Sequence, residues 1–370
     1  MWTNHTLYVI VYLLGEIMKE KSYYEKREIA CTDRIYNVIK DLPYYVEDFF
    51  VGVEPRTSPL TRLNYAYDLR VFFDFLTKKV FRTKKINEIE LTDLDLLESS
   101  DFEYFLSYLS HYVINDKHER CTETGKARKL STIRAFYKFF FNKNLLKANT
   151  PTKVLMPKIH EKEIIRLESN ENVDEIGDML YVTESGHGLT KHQKAFHLST
   201  GLRDTAIITL FLGTGIRISE LVGLNVEDID FKNSSFIVTR KGGNRTVLYF
   251  NDRVSIALAD YLATREKTDG FTKTSPLFLS LQNKRISTRA VQELVKKYAK
   301  IISPLKKITP HKLRSTFGTN LYRQTGDIYV VADFLGHKDV NTTKKHYAAI
   351  SDDARKKAAF TLDIENKNNK

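Results

Sequence analysis

Cysteine is almost missing from this chain: its 370 residues include two, Cys31 and Cys121, far apart and in neither a C-x-x-C nor a C-x-x-H spacing. That excludes a disulfide framework and a zinc knuckle, and it fits a reducing, cytoplasmic setting. Long apolar runs are missing as well. The one stretch that looks like a targeting segment, Leu7–Leu14, is too short to span a bilayer and lacks a basic lead or a small-residue cleavage site. No signal peptide, transmembrane helix or membrane partner is therefore expected. Met18 follows and opens the polar run Lys19-Glu20-Lys21-Ser22, which makes it a second candidate start. Acids are absent from Thr124 to Lys158, a stretch that holds nine lysines and arginines. Solvated helix faces usually mix both signs, so this block points to a phosphate-facing surface, with Lys126, Arg128, Lys129, Arg134 and Lys138 as its candidates. The whole chain leans the same way: 58 basic against 46 acidic residues give +12, which makes a polyanionic partner worth seeking.

What is present is enough for two or three domains at about 150 residues each. Thr61–Leu76 carries Leu63, Leu69, Phe72, Phe73 and Leu76 at helical spacing. Helical stretches are also expected from about Ser100 to Val113 and from Ser131 to Asn142, the latter capped by Ser131 or Thr132. Tyr137 and the phenylalanines beside it read as core. After Pro151 and Pro157 the composition turns acidic, then rich in Gly, Ser, His and Lys as far as Ser199. These shifts divide the chain into an N-terminal extension (1–41), a helical domain (42–160), a second domain (161–364) and a polar tail (365–370). Within the second domain, the run from Asp204 reads as a buried helix ended by Gly213-Thr214-Gly215. Phe236–Thr239 and Thr246–Phe250 read as a β-hairpin with a basic tip, flanked by Arg240 and Arg245, both candidate DNA-binding residues. The fold class is mostly α with a small β-hairpin or sheet.

Candidate chemistry gathers in the last third. Thr309-Pro310 is a strong helix start, which puts His311 and Arg314 one turn apart on one face, able to reach a single anion. Leu335-Gly336-His337 ends a short helix begun near Asp327, and Tyr347 lies among Lys344, Lys345 and His346, an odd place for a core tyrosine.

Taken together with Gly213-Thr214-Gly215-Ile216-Arg217-Ile218-Ser219-Glu220-Leu221 and the hairpin Arg240-Lys241-Gly242-Gly243, these motifs resemble, in order, those of the tyrosine recombinases, the phage-integrase and Xer family of site-specific DNA recombinases. The resemblance implies an α-helical, SAM-like core-binding domain followed by an α+β catalytic domain. It implies Arg217 and Arg314 as the catalytic arginines, Lys241 as the hairpin lysine, His311 and His337 as the catalytic histidines, and Tyr347 as the nucleophile, with Glu220 at the acidic position behind the first arginine. Ser315 departs from many relatives, which carry a histidine there, and the His337 to Tyr347 interval is one residue longer than in many Xer proteins.

The chemistry agrees with the resemblance. A phenolate that attacks DNA conserves bond energy as a phosphotyrosine, here a 3′-phosphotyrosine, where hydrolysis would lose it. Two guanidinium forks can hold the nonbridging oxygens of the phosphate. Lys241 can protonate the leaving 5′ oxygen, His311 can assist proton transfer at the tyrosine, and His337 can hydrogen-bond the phosphate. No metal and no cofactor are called for. The implied partner is double-stranded DNA with inverted-repeat half-sites, bound by a homotetramer that is a monomer or weak dimer when free, with room for an accessory protein and a nucleoid-associated location. Chromosome-dimer resolution and mobile-element transfer both remain open. So do two other readings, a type IB topoisomerase and a catalytically inactive DNA-binding regulator.

Overall fold

The computed structural model describes residues 22–114, 116–159, 165–169, 173–240, 243–266, 271–336 and 340. Lys241, His337, Tyr347, the Leu7–Leu14 stretch, Met18 and the polar tail lie outside the described residues. Among the described residues no helix is long and apolar enough to cross a membrane. The chain divides into two compact units, Met1–Glu161 and Lys162–Lys370.

The first unit is built from α1 (Tyr23–Ile39), α2 (Tyr45–Val53), α3 (Pro59–Phe75), the short α4 (Leu91–Leu94), α5 (Ser99–Tyr108) and α6 (Glu123–Asn142), with a hairpin of β1 (Tyr112–Ile114) and β2 (Lys117–Glu119) between the last two long helices. Each start has a local cause. Ser22 and Glu25 form a reciprocal capping box at α1, and Ser58 caps α3 with Pro59 at its first position. The apolar stripe of α3 does what its spacing predicts: Leu63, Leu69, Phe72, Phe73 and Leu76 are all buried. They meet Tyr45, Phe49, Phe102, Phe105, Phe136, Tyr137 and Phe140 in one aromatic core. Phe72 stacks on Phe102 at 5.9 Å and 15°, and Phe136 meets Phe140 edge-on at 5.0 Å. Each such ring contributes about 1.5–3 kcal/mol by leaving water, so this cluster dominates the unit's stability.

Two boundaries differ from the sequence expectation. Helix α6 begins eight residues before Ser131, capped by Thr122 Oγ1, which accepts from Gly125 N at 3.3 Å. Ser131 cannot serve as the cap because its hydroxyl donates to Ala127 O at 2.9 Å inside the helix. The helix of α5 stops at Tyr108, and Tyr112–Ile114 turn back as a strand, Val113 opposite His118, through Asp116 at φ +58°.

Asp68, fully buried on α3, holds α6 in place. Its carboxylate accepts from Arg128 Nη1 at 2.5 Å, Lys129 Nζ at 2.9 Å and Thr132 Oγ1 at 2.9 Å. Three donors from one turn of α6 satisfy a charge that would otherwise be costly in this interior.

The second unit is centred on α8 (Lys191–Thr214), against which α7 (Glu175–Ser185), α10 (Asp252–Arg265) and α12 (Pro310–Thr325) pack. It also contains α9 (Ile218–Gly223), α11 (Thr288–Ile302), α13 (Ile328–Leu335) and a three-stranded antiparallel sheet in the order β3 (Ile229–Asp230), β4 (Ser235–Thr239), β5 (Arg245–Tyr249). The expected hairpin is in register, with Phe236 opposite Leu248 and Thr239 opposite Arg245. The stretch before Asp204, which the sequence marks only as rich in Gly, Ser, His and Lys, includes the first half of α8, started by a Thr190–Gln193 capping box. Its periodicity is hidden because this half is largely exposed, Leu198 at 91%. From Asp204 to Phe211 the helix is buried throughout. Asp204 itself accepts from Arg203, Lys297 Nζ at 2.9 Å and Tyr298 OH at 2.9 Å, joining α8 to α11. Burial beside this carboxylate pushes the Tyr298 phenol far above its ordinary range.

Two predictions come from these buried acids. Asp68→Asn leaves Lys129 without its counter-charge in the interior and should lower the first unit's unfolding free energy by about 3 kcal/mol, read from chemical denaturation monitored by tyrosine and tryptophan fluorescence. Glu175, at the start of α7, shows the opposite balance. Burial would raise its carboxyl's pKa, but Lys306 Nζ at 2.7 Å, Glu168 N at 2.7 Å and Ser303 Oγ at 2.9 Å outweigh burial, and the net shift is downward. A depressed folded pKa stabilises above the unfolded value, about 4.3, and that contribution disappears as pH falls through the folded one. The stability difference between wild type and Glu175→Gln should therefore be full at neutral pH and shrink below about pH 4, as followed by urea midpoints across pH.

Candidate active site

In the second unit three chain segments converge: the turn after α8, the first turns of α12 and the end of α13. Gly215 makes the first possible. It caps α8 in the left-handed region at φ +62°, and a Cβ there would collide with Phe317 of α12. The chain then turns so that Arg217 becomes the residue before α9. Glu220, buried to 3% exposure, closes a capping box with Arg217: Arg217 N donates to Oε2 at 3.0 Å while Arg217 Nη1 donates to Oε1 at 2.8 Å. One carboxylate thus fixes both the backbone and the side chain of this arginine.

The far edge of the same guanidinium reaches α13, where Arg217 Nη2 donates to Leu335 O and Gly336 O, each at 3.0 Å. Arg314, on α12 and only 5% exposed, donates to Gly215 O through Nη1 and to Leu335 O through Nη2. The two arginines therefore meet on a single carbonyl oxygen. Their acceptors belong to the C-terminal ends of α8 and α13, where free carbonyls and the helix dipole favour positive charge. The open side of Arg217, whose side chain remains 34% exposed, suits an anion presented to it.

The structure brings Arg217, Glu220 and Arg314 together. His311 and Arg314 do share a turn of α12, but they are not equally accessible: His311 is exposed and Arg314 buried. Arg240, expected at a DNA-contacting hairpin tip, instead turns inward, with Nη2 donating to Phe334 O at 3.5 Å and its guanidinium packed over Gly336. Arg245 stays outside, 66% exposed and 3.6 Å from Asp228. What sequence reasoning misses is the role of Gly215 O, Leu335 O and Gly336 O as anchors, because a backbone acceptor leaves no mark in residue type. The glycines that permit those turns are the only trace.

In the first unit the acid-free block is not acid-free in space. Lys129, expected at a DNA surface, is buried to 6% and paired with Asp68, which corrects that reading: an α3 carboxylate supplies its counter-charge. Arg128 shares the same carboxylate, Lys126 pairs with Glu123 at 2.9 Å, and Arg134 donates to Pro151 O and Val154 O, clamping the segment after α6. Of the five candidates, Lys138 is exposed with none of these internal contacts.

Comparison with known proteins adds the following. Residues 46–144 match the phage integrase N-terminal SAM-like domain and residues 187–354 the phage integrase family. The chain is 37% identical over 305 residues to the tyrosine recombinase XerC of Caldanaerobacter subterraneus subsp. tengcongensis, covering 80% of each, and 31% identical over 307 residues to the XerC of Thermodesulfovibrio yellowstonii, covering 81% of this chain and 90% of that one. Its fold is similar to that of the XerH site-specific recombinase bound to its difH substrate (TM-score 0.56, 18% identity, 78% of this chain and 76% of that one). It is also similar to the Tn1549 transposon integrase in complex with transposon right end DNA (TM-score 0.58, 20% identity, 85% and 98%).

The geometry makes Glu220 the control point of Arg217. Glu220→Gln keeps the shape and one acceptor oxygen for the cap at Arg217 N, but sets an NH2 donor against Arg217 Nη1 and so removes the charge-assisted bond. Strand cleavage in single turnover should slow roughly tenfold, corresponding to about 1.4 kcal/mol, while DNA binding measured by gel shift stays near wild type.

Proposed function

The chain belongs to the phage integrase family of tyrosine recombinases and is an enzyme of site-specific DNA recombination, and from that premise we propose that Arg217, Lys241, His311, Arg314, His337 and Tyr347 are its catalytic set. The observation that carries the assignment is the convergence of Arg217 and Arg314 on Leu335 O, which holds two guanidinium groups within one hydrogen bond of the same atom. A scissile phosphate placed against them has its nonbridging oxygens met by donors already oriented, so charge that develops in the transition state is stabilised without reorganisation. Glu220 fixes Arg217 and takes no part in bond making.

In the cleavage step the Tyr347 oxygen attacks phosphorus, its proton passing toward His311. The bond from phosphorus to the 5′ oxygen breaks, and the leaving oxygen takes a proton from Lys241. His337 donates to the phosphate. The product is a 3′-phosphotyrosine and a free 5′ hydroxyl, and attack by a hydroxyl of the partner strand reverses the step on a new duplex. Binding and charge stabilisation come from protein side chains, so the reaction as proposed calls for no metal ion.

Double-stranded DNA with inverted half-sites is the substrate in this reading, with residues 42–160 and 161–364 acting as the core-binding and catalytic domains. Four protomers, one for each strand to be cut, assemble on two paired sites. The topoisomerase alternative is not favoured, since the relatives at 31–37% identity carry the Xer recombinase name over most of the chain. An inactive regulator would have no use for a buried acid devoted to orienting Arg217.

Tyr347→Phe should bind its site with unchanged affinity and yield no covalent protein–DNA adduct on a nicked suicide substrate resolved by denaturing gel. Arg314→Lys, which keeps the charge but loses the fork, should reduce adduct formation by on the order of a hundredfold. An undiminished adduct in Tyr347→Phe would move the nucleophile to another residue.

A further inference from the structure

Arg240 is half-buried, and its side chain joins the β4–β5 hairpin to the arginine cradle. Its backbone is fixed at the mouth of the turn: Arg240 N donates to Asn244 O at 2.8 Å and Arg240 O accepts from Gly243 N at 3.1 Å. Its side chain crosses to the end of α13. There Nη2 donates to Phe334 O, and the guanidinium fills the space above Gly336 that a Cβ would need. Gly336 is in the left-handed region at φ +57°, and its carbonyl, with that of Leu335, receives Arg217. Arg240 Nε is buried and has no acceptor among the described residues. A side chain kept only to dock on a DNA backbone would leave its fork in water, and one kept only for stability would not bury an unmet N–H.

We propose that Arg240 is a positioning residue: it ties the turn that carries Lys241, the next residue in the chain, to the carbonyl end of α13 that seats Arg217 and Arg314. The strand pairing to Thr239–Arg245 and the backbone bonds of Arg240 with Asn244 and Gly243 hold the turn to its own hairpin, and none of them ties it to α13. The Arg240 anchor supplies a second fixed point and references the proton donor to the same carbonyls that reference the two phosphate-binding forks. Proton delivery to the leaving oxygen then depends on Arg240 through Lys241, without contact between Arg240 and the reacting atoms. The inference rests on the reading of Lys241 as the general acid.

The test separates the two. Suicide substrates with an ordinary 5′ oxygen at the scissile phosphate are compared with substrates carrying a 5′-bridging sulfur, which leaves as a thiolate and needs no proton. Single-turnover cleavage is measured for the full-length wild type, Lys241→Ala, Arg240→Ala, Arg240→Gln and Arg217→Lys, with half-site affinity and circular dichroism recorded for each. Arg240→Ala and Arg240→Gln should cleave the oxygen substrate roughly tenfold to a hundredfold more slowly, with unchanged DNA affinity, and should recover to near the wild-type rate on the sulfur substrate, as Lys241→Ala does. Arg217→Lys should remain slow on both. If Lys241→Ala recovers on sulfur while the Arg240 variants stay slow, or if they show no defect on oxygen, the positioning role is overturned and the Lys241 assignment stands. If Lys241→Ala itself fails to recover, the general-acid reading falls and the inference falls with it.

Discussion

The carbonyl oxygen of Leu335 accepts from both Arg217 and Arg314, and most of what surrounds it exists to make that possible. Two guanidiniums repel each other, and bringing them together requires acceptors that are fixed and electron-rich. The C-terminal ends of α8 and α13 provide them, since their last carbonyls lack partners within the helix. Gly215 and Gly336 let each helix end in a left-handed cap, so the freed carbonyls face the arginines. Glu220 completes the set by binding Arg217 from the other side. The remaining core of the second unit, α8 wrapped by α7, α10 and α12, holds these ends at the correct separation.

A second theme is the buried carboxylate that gathers cations. Asp68 in the first unit, and Asp204 and Glu175 in the second, each receive at least three hydrogen-bond donors, two or more of them from beyond their own helix. In a strongly basic chain such acids serve a particular end. They turn lysines and arginines that would otherwise repel one another into fixed links between helices, and they leave the rest of the positive charge on the surface.

How much of this was legible beforehand differs by element. The stripe of α3 and the Phe236–Thr239 and Thr246–Phe250 runs were clear, because burial on one face imposes a period that survives in residue type. The start of α6 and the first half of α8 were not, since both are polar segments whose helicity comes from caps at Thr122 and Thr190 and from elements packed on them, not from an apolar stripe of their own. In the site, Arg217, Glu220 and Arg314 could be named from motifs, but their mutual geometry could not. It is set by main-chain carbonyls, which every residue type possesses. The same limit explains Lys129. Its neighbours in sequence are all neutral or basic, and the acid that claims it lies 61 residues away on α3.

Because the anchor shared by the arginines is a peptide oxygen, no side-chain replacement at position 335 can remove it. The site is therefore indifferent to the identity of much of α13 as long as the helix keeps its length and its left-handed ending. It is far more exposed to changes in chain length. One residue inserted or deleted between Ile328 and Gly336 would rotate the terminal carbonyls by about 100° and point them away from both guanidiniums at once. Drift in this lineage should thus be permissive for substitutions along α13 and closed to indels there, a constraint on reading frame and spacing more than on composition.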